Sequence, residues 1–194
     1  ELFKWHNTTN STLESHPLVP TLPNLYTRLD GATFDSQGNL LVANSAVSNN
    51  IKVLLNTGEW TQMKASAAGI ETLGKIIVNN QNTNQKWMLG VRTGEIAVID
   101  DNGTYQDLSD NKFTTLKALS DPDNQGGIIS PNYYYCIAQD KNGVIWAGTD
   151  QGPLLFYNTS RVFDAGYTCS RVKIPRNDGT NQADYLLVNE KIKA

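Results

Sequence analysis

The stretch from Tyr133 to Tyr157 reads Tyr133-Tyr134-Tyr135-Cys136-Ile137-Ala138-Gln139-Asp140-Lys141-Asn142-Gly143-Val144-Ile145-Trp146-Ala147-Gly148-Thr149-Asp150-Gln151-Gly152-Pro153-Leu154-Leu155-Phe156-Tyr157. It divides into three short apolar runs and two turns. Asp140-Lys141-Asn142-Gly143 has the composition of a tight turn between strands. Asp150-Gln151-Gly152-Pro153 is a second turn, where glycine supplies positive φ and proline cannot continue a central ladder. The expectation is three strands paired in sequence order.

The same pattern occurs upstream. Asp35-x-x-Gly38 repeats the spacing of Asp140-x-x-Gly143, and 32–43 reads strand, turn, strand. A third strand is expected over 51–55 and a fourth over 59–63. A second copy begins at Lys75. Its second strand is 86–90 and its third 95–99, followed by Asp100-Asp101-Asn102-Gly103. Asn-Gly between apolar runs is the sharpest hairpin signal in the chain. Thr104–Leu108 is read as the strand that closes this copy, and 109–131 as a connector. The third copy closes with an outer strand around 169–174.

Anchored on the small residues Ala43, Gly90 and Gly148, the copies lie 47 and 58 residues apart. Four-stranded units at this period, with tryptophan in the second strand, specify an all-β fold, a β-propeller of about four blades. The expected division is an N-terminal strand and proline-rich linker over 1–28, then propeller blades over 29–194. These blades fall at about 29–63, 75–108 and 133–174, with the start of another at 185–194. Both faces of an inner blade are buried, so apolar runs replace clean alternation. Small residues suit the crowded centre, and Trp60, Trp87 and Trp146 are expected to fill the widening gaps between blades. The best helical candidate, 64–73, is short and contains Gly69.

Composition excludes several function classes. The chain has 194 residues, 18% charged, with net charge −3. Lys and Arg are scattered, which speaks against a nucleic-acid partner. No apolar run approaches the ~20 residues of a membrane span, so no membrane insertion is expected. The sequence starts at Glu1 without a secretory leader, which suits removal of the leader or a piece of a longer chain. Two cysteines, Cys136 and Cys169, form no zinc-type spacing, and a bridge between them is left open. Asp121–Gly126 has part of a calcium-loop pattern but Gln125 and Asn132 replace the acids it needs, so it is read as a solvated turn and no metal or cofactor is assigned. Asp100-Asp101 is read as a turn, not as an acid–base pair. No nucleophile elbow, zinc-protease helix or phosphate loop occurs, and neither His6 nor His16 is set with a Ser or Cys in a strand-end context, so no nucleophilic triad is expected.

Asp140-x-x-Gly143-Val144-Ile145-Trp146-Ala147-Gly148-Thr149-x-x-Gly152 resembles the two-component-regulator propeller repeat of Bacteroidetes-type sensors. Lys86-Trp87-Met88-Leu89-Gly90-x-x-x-Gly94 matches with one extra residue, and Asp35–Ala43 with Leu41 in place of tryptophan. Residues 75–194 also resemble PorZ-type propellers of type IX secretion, through 96–104, 174–180 and 183–189. Those propellers hold more blades than this chain, which implies a piece of a longer protein. The resemblance implies a periplasmic or cell-surface location and a binding module in a sensor or a secretion-associated surface protein, not an enzyme. The rival reading is a propeller lyase or hydrolase acting on glycans. The ligand, a glycan or a protein, is not specified. Arg92, at a loop end, and Tyr133 and Tyr135 are the candidate ligand contacts. Open strand edges would also permit self-association.

Overall fold

The structure, a computed structural model, describes residues 4–16, 26–65, 72–123, 127–188 and 190–193. Three four-stranded antiparallel sheets account for most of it, each with its strands in sequence order. The first holds β1 (Leu29–Phe34), β2 (Leu40–Asn44), β3 (Ile51–Leu54) and β4 (Trp60–Met63). The second holds β5 (Leu73–Val78), β6 (Gln85–Gly90), β7 (Glu95–Asp100) and β8 (Lys112–Leu116). A hairpin follows, β9 (Leu119–Asp121) with β10 (Gly127–Ile129). The third sheet holds β11 (Tyr134–Gln139), β12 (Ile145–Thr149), β13 (Gly152–Phe156) and the two-residue β14 (Ser170–Arg171). A last hairpin pairs β15 (Lys173–Pro175) with β16 (Ala183–Tyr185).

The sheets stack as propeller blades. First strands contact one another across the sheets, β1 with β5 and β5 with β11. One core lies between blades one and two, around Leu41, Ala43, Met63, Ile76, Met88 and Ala97. The other lies between blades two and three, around Trp87, Leu89, Val98, Ile137, Ala147 and Phe156, and extends to Leu119 and Ile129 of the β9–β10 hairpin. The strands of blade two therefore divide their side chains between two neighbouring blades.

Each blade interface also has its own polar lock. Between blades one and two, buried Lys86 pairs with buried Asp101, and the Lys86 ammonium lies 4.8 Å from the Tyr105 ring. Tyr105 donates its hydroxyl to Asp35 at 2.7 Å. Between blades two and three the lock is made of amides. Asn79 donates to Gln85 at 2.8 Å and to Thr159 at 2.9 Å, while Gln139 donates to Asn79 at 2.7 Å. Gln85 also takes the Trp87 indole N–H at 2.8 Å.

Several expectations need correction. The outer strand of blade two is Lys112–Leu116, not Thr104–Leu108. Tyr105 is instead buried in the seam below blade one, which takes its segment out of the ladder. The corresponding bonds Ser45 N–Arg28 O, Val91 N–Thr72 O and Asp150 N–Tyr133 O align the blades. They make Leu89, not Gly90, the counterpart of Ala43 and Gly148; anchoring on residue size slipped the second blade by one. Trp146 does not fill a gap between two of these blades. It is 37% exposed on the outward face of blade three, with its indole N–H on Asp140 at 3.1 Å. Residues 185–194 were expected to open a further blade. Among the described residues of this stretch only Tyr185 is in a strand, the end of β16; the backbone of 190–193 runs along the rim of blade three, Gly152 N–Glu190 O and Ile192 N–Thr149 O both at 3.0 Å.

Leu2 and Phe3 of the expected N-terminal strand, the three linker prolines and most of the helical candidate lie outside the described residues. Lys4 and Trp5 are not in a strand, and Leu73 begins β5.

Candidate functional site

In every blade the first strand starts at the same end as the turn between its second and third strands. That end forms a rim. At the rim each first strand departs from regular pairing: the register shifts between Leu29 and Gly31, between Leu73 and Ile76, and between Tyr134 and Cys136. A bulge re-aims the extra residue and bends the strand. Here it takes Asp30, Gly74 and Tyr135 out of the ladder at equivalent heights.

In the third blade the bulge separates the tyrosines. Tyr134 is 5% exposed and turns into the core, where burial, Cys169 and Asp150 all push its hydroxyl pKa up. Tyr133 is 47% exposed, and its ring stacks on that of Tyr135 with centroids 6.0 Å apart and planes 20° from parallel. Offset stacking of this kind suits two aromatic quadrupoles.

The loop beneath them is pinned. Asp150 accepts the backbone N–H groups of Asn132 at 3.1 Å and Tyr133 at 3.3 Å, and the Asn132 side-chain amide at 3.0 Å. Gln151 donates to Ser130 O at 3.0 Å. From the neighbouring blade, Gly94 at φ 63° comes so close that a Cβ there would lie 2.7 Å from Pro131 O. The turn 91–94 thus abuts the loop that carries Tyr133, and exposed Arg92 stands on the same rim at φ 68°. A non-glycine residue held in the left-handed region carries a conformational cost, of a kind that clusters at functional positions. Ala46 occupies the equivalent turn of blade one at φ 62°.

The structure therefore brings Arg92, Tyr133 and Tyr135 to one rim. Asp150 and Gln151, which hold this rim together, were read from sequence only as turn residues. The available signal was the placement of an acid directly after the motif glycine and threonine. A rigid, half-exposed aromatic pair can stack on a planar or ring-shaped group, and a guanidinium on the same rim can clamp an anion.

The other sequence-level candidates fall elsewhere. Asp121 is fully buried rather than solvated; it accepts Asp123 N–H at 3.0 Å, and Asp123 pairs with Lys173 at 3.0 Å. Among the described residues no group of three or more His, Cys, Asp or Glu is placed to hold a metal. Cys136 and Cys169 are both free thiols. Burial, helped by Asp121, pushes the Cys169 thiol up to about 12. His6 and His16 sit on the N-terminal segment, His6 accepting the Trp60 indole N–H at 3.1 Å. Among the described residues no helix is long and apolar enough to cross a membrane.

The fold and rim define an arc of a β-propeller, and comparison with known proteins agrees. Residues 127–151 match the two-component regulator propeller family. The structure is similar to PorZ, an essential surface component of the type IX secretion system of Porphyromonas gingivalis, with TM-score 0.73 and 22% identity. That match covers 86% of this chain and 23% of PorZ, so the chain spans less than a quarter of that protein's length. The extracellular domain of a hybrid two-component system from B. thetaiotaomicron gives TM-score 0.48 at 17% identity, over 81% of this chain and 18% of that one. A virginiamycin B lyase from Staphylococcus aureus gives 0.47 at 18%, over 69% and 39%. No curated protein matches by sequence.

Proposed function

We propose that this chain is part of a non-enzymatic, extracytoplasmic binding module belonging to a sensor or to a type IX secretion-associated surface protein. Its ligand, a glycan or a protein segment, rests on the rim formed by Arg92, Tyr133 and Tyr135. The observation that carries this reading is the stacked tyrosine pair on a loop fixed by Asp150 and Gln151. A preorganised platform loses little entropy on binding, so it favours recognition. The similarity to PorZ supports the surface location.

A catalytic site would need a histidine or two converging carboxylates at the rim. The two histidines lie on the N-terminal segment, and both Asp150 oxygens are taken by the loop. The test is to probe the folded chain with arrays of polysaccharides and surface peptides, then to repeat with Tyr133→Ala/Tyr135→Ala and Arg92→Ala. Losing an aromatic contact should weaken a bound probe about tenfold or more. A probe that binds all variants equally would place the site elsewhere, and turnover of a probe would overturn the non-enzymatic reading.

A further inference from the structure

Blade one has an outward face that differs in kind from its equivalents. In blades two and three, the third-strand position that faces the preceding blade is Ala97 or Leu154, each paired with the second-strand residue Met88 or Ala147. All four are buried against a neighbouring blade. In blade one the same place, opposite Val42, is held by Lys52, which is fully buried. Gln62 lies beside it on β4, and Asn44 stands one step along β2 where the other blades have Gly90 and Thr149. This face meets no preceding blade among the described residues. It meets residues 4–16.

The contacts are those of recognition. Asn44 accepts the Glu14 backbone N–H at 2.7 Å and donates to Glu14 O at 3.1 Å, a two-point grip on the backbone of one residue. Lys52 pairs with the Glu14 carboxylate and donates to Gln62 at 2.6 Å. Thr12 donates to Thr61 O at 3.2 Å on the outer strand, and Leu13 is 8% exposed beneath. Burial pulls the Lys52 ammonium below its ordinary pKa while Glu14 pulls it back. A buried lysine without a carboxylate partner is a costly arrangement, so the face demands one. Asn44 reads the backbone, Lys52 the charge, and Leu13 supplies apolar burial.

We propose that the outward face of blade one is a socket for an extended peptide segment bearing a glutamate, and that residues 4–16 of this chain fill it as a built-in occupant. The partner it fits in trans is a segment of the same chemistry, an apolar residue followed by a carboxylate.

The test uses the full chain with Leu13→Asp/Glu14→Ala, which releases the internal segment, and a fluorescent synthetic peptide of residues 7–16. A resonance for the buried Trp87 indole shows that the variant is folded. The peptide should bind this variant at least about tenfold tighter than it binds the parent chain, whose own segment competes at high effective concentration. A peptide with Glu14→Gln should bind about ten- to a hundredfold more weakly, the range of a charge-assisted hydrogen bond. Adding Lys52→Met to the variant should erase that discrimination. Equal affinity for the two peptides, or no binding at about 1 mM peptide, would overturn the proposal. Should the double variant unfold, Glu14→Gln alone decides: the Trp60 indole, bonded to His6 of the segment, should shift toward its solvent position and the chain should capture the glutamate peptide. An unmoved indole with no capture overturns the proposal equally.

Discussion

Trp87 and Trp146 hold the same place in successive blades, and truncating each to alanine should give very different results. Trp87 is fully buried, with its ring centroid 5.5 Å from that of Phe156 and its indole N–H on Gln85. A buried tryptophan hides roughly 150–250 Å², about 4–6 kcal/mol at ~25 cal/mol per Å². Large-to-small changes in closed cores cost about 3–5 kcal/mol, and Trp87→Ala should fall there while leaving Gln85 with one bond fewer. Trp146 is 37% exposed, so truncation opens to solvent and leaves no sealed cavity. Its buried share, nearly two thirds, corresponds to about 2–4 kcal/mol at the same coefficient, with no cavity cost added. For a chain of this size 1 kcal/mol moves Tm by about 2–4 °C. Calorimetry should therefore show the larger drop for Trp87→Ala, about 10–15 °C, against about 5–8 °C for Trp146→Ala. Equal drops would mean that the two tryptophans are packed alike, which would refute the assignment of the outward face of blade three.

Two further outcomes follow from the geometry. Gly94→Ala must hold φ near +63° and place a Cβ 2.7 Å from Pro131 O, whereas Gly58→Ala, at φ 91°, has nothing within 4 Å. Both bear the left-handed cost of about 1 kcal/mol, but urea unfolding should show Gly94→Ala to be the worse by at least about 1 kcal/mol. Equal values would remove the close approach of the two blades. Burial works against ionisation of Asp35, yet hydrogen bonds from Tyr105, Asn39 and Gln37 hold its pKa below the ordinary 3.8. A carboxylate depressed in the folded state stabilises above its ordinary pKa and stops doing so as pH falls through the lower folded value. Tyr105→Phe should therefore cost about 1 kcal/mol at pH 7, and that difference should shrink as pH drops below about 4. A difference that stays constant in unfolding curves from pH 7 to pH 3 would show that the Tyr105–Asp35 bond is not formed.

The blades were readable because their turns are written in local chemistry. Asp35, Asp140 and the glycine three residues on close the first loop of blades one and three, with Asp140 taking N–H groups from Asn142 and Val144 as an aspartate turn does. What escaped reading depends on partners distant in sequence. Tyr105 looks like a strand residue until Asp35 is placed seventy positions away. Trp146 looks like filling until its face is seen to meet no further blade among the described residues. Arg92 and the two tyrosines were legible as loop-end residues, but their anchors Asp150 and Gln151 act on a loop twenty residues upstream. Lys52 gave no signal, because nothing in its strand announces the carboxylate that reaches it from Glu14.

The two blade seams carry a consequence for assembly. Near-copies of one unit are prone to dock in the wrong sequence while folding. Here one junction is keyed by a lysine–aspartate pair and a tyrosine, the other by a ring of amides and a threonine. Exchanging the order would take Tyr105 from Asp35 and Asn79 from Thr159 and Gln139, leaving buried polar groups unpaired, a penalty that apolar surfaces alone could not impose. The polar groups that weaken each seam as glue thus act as a proofreading code for which blade follows which.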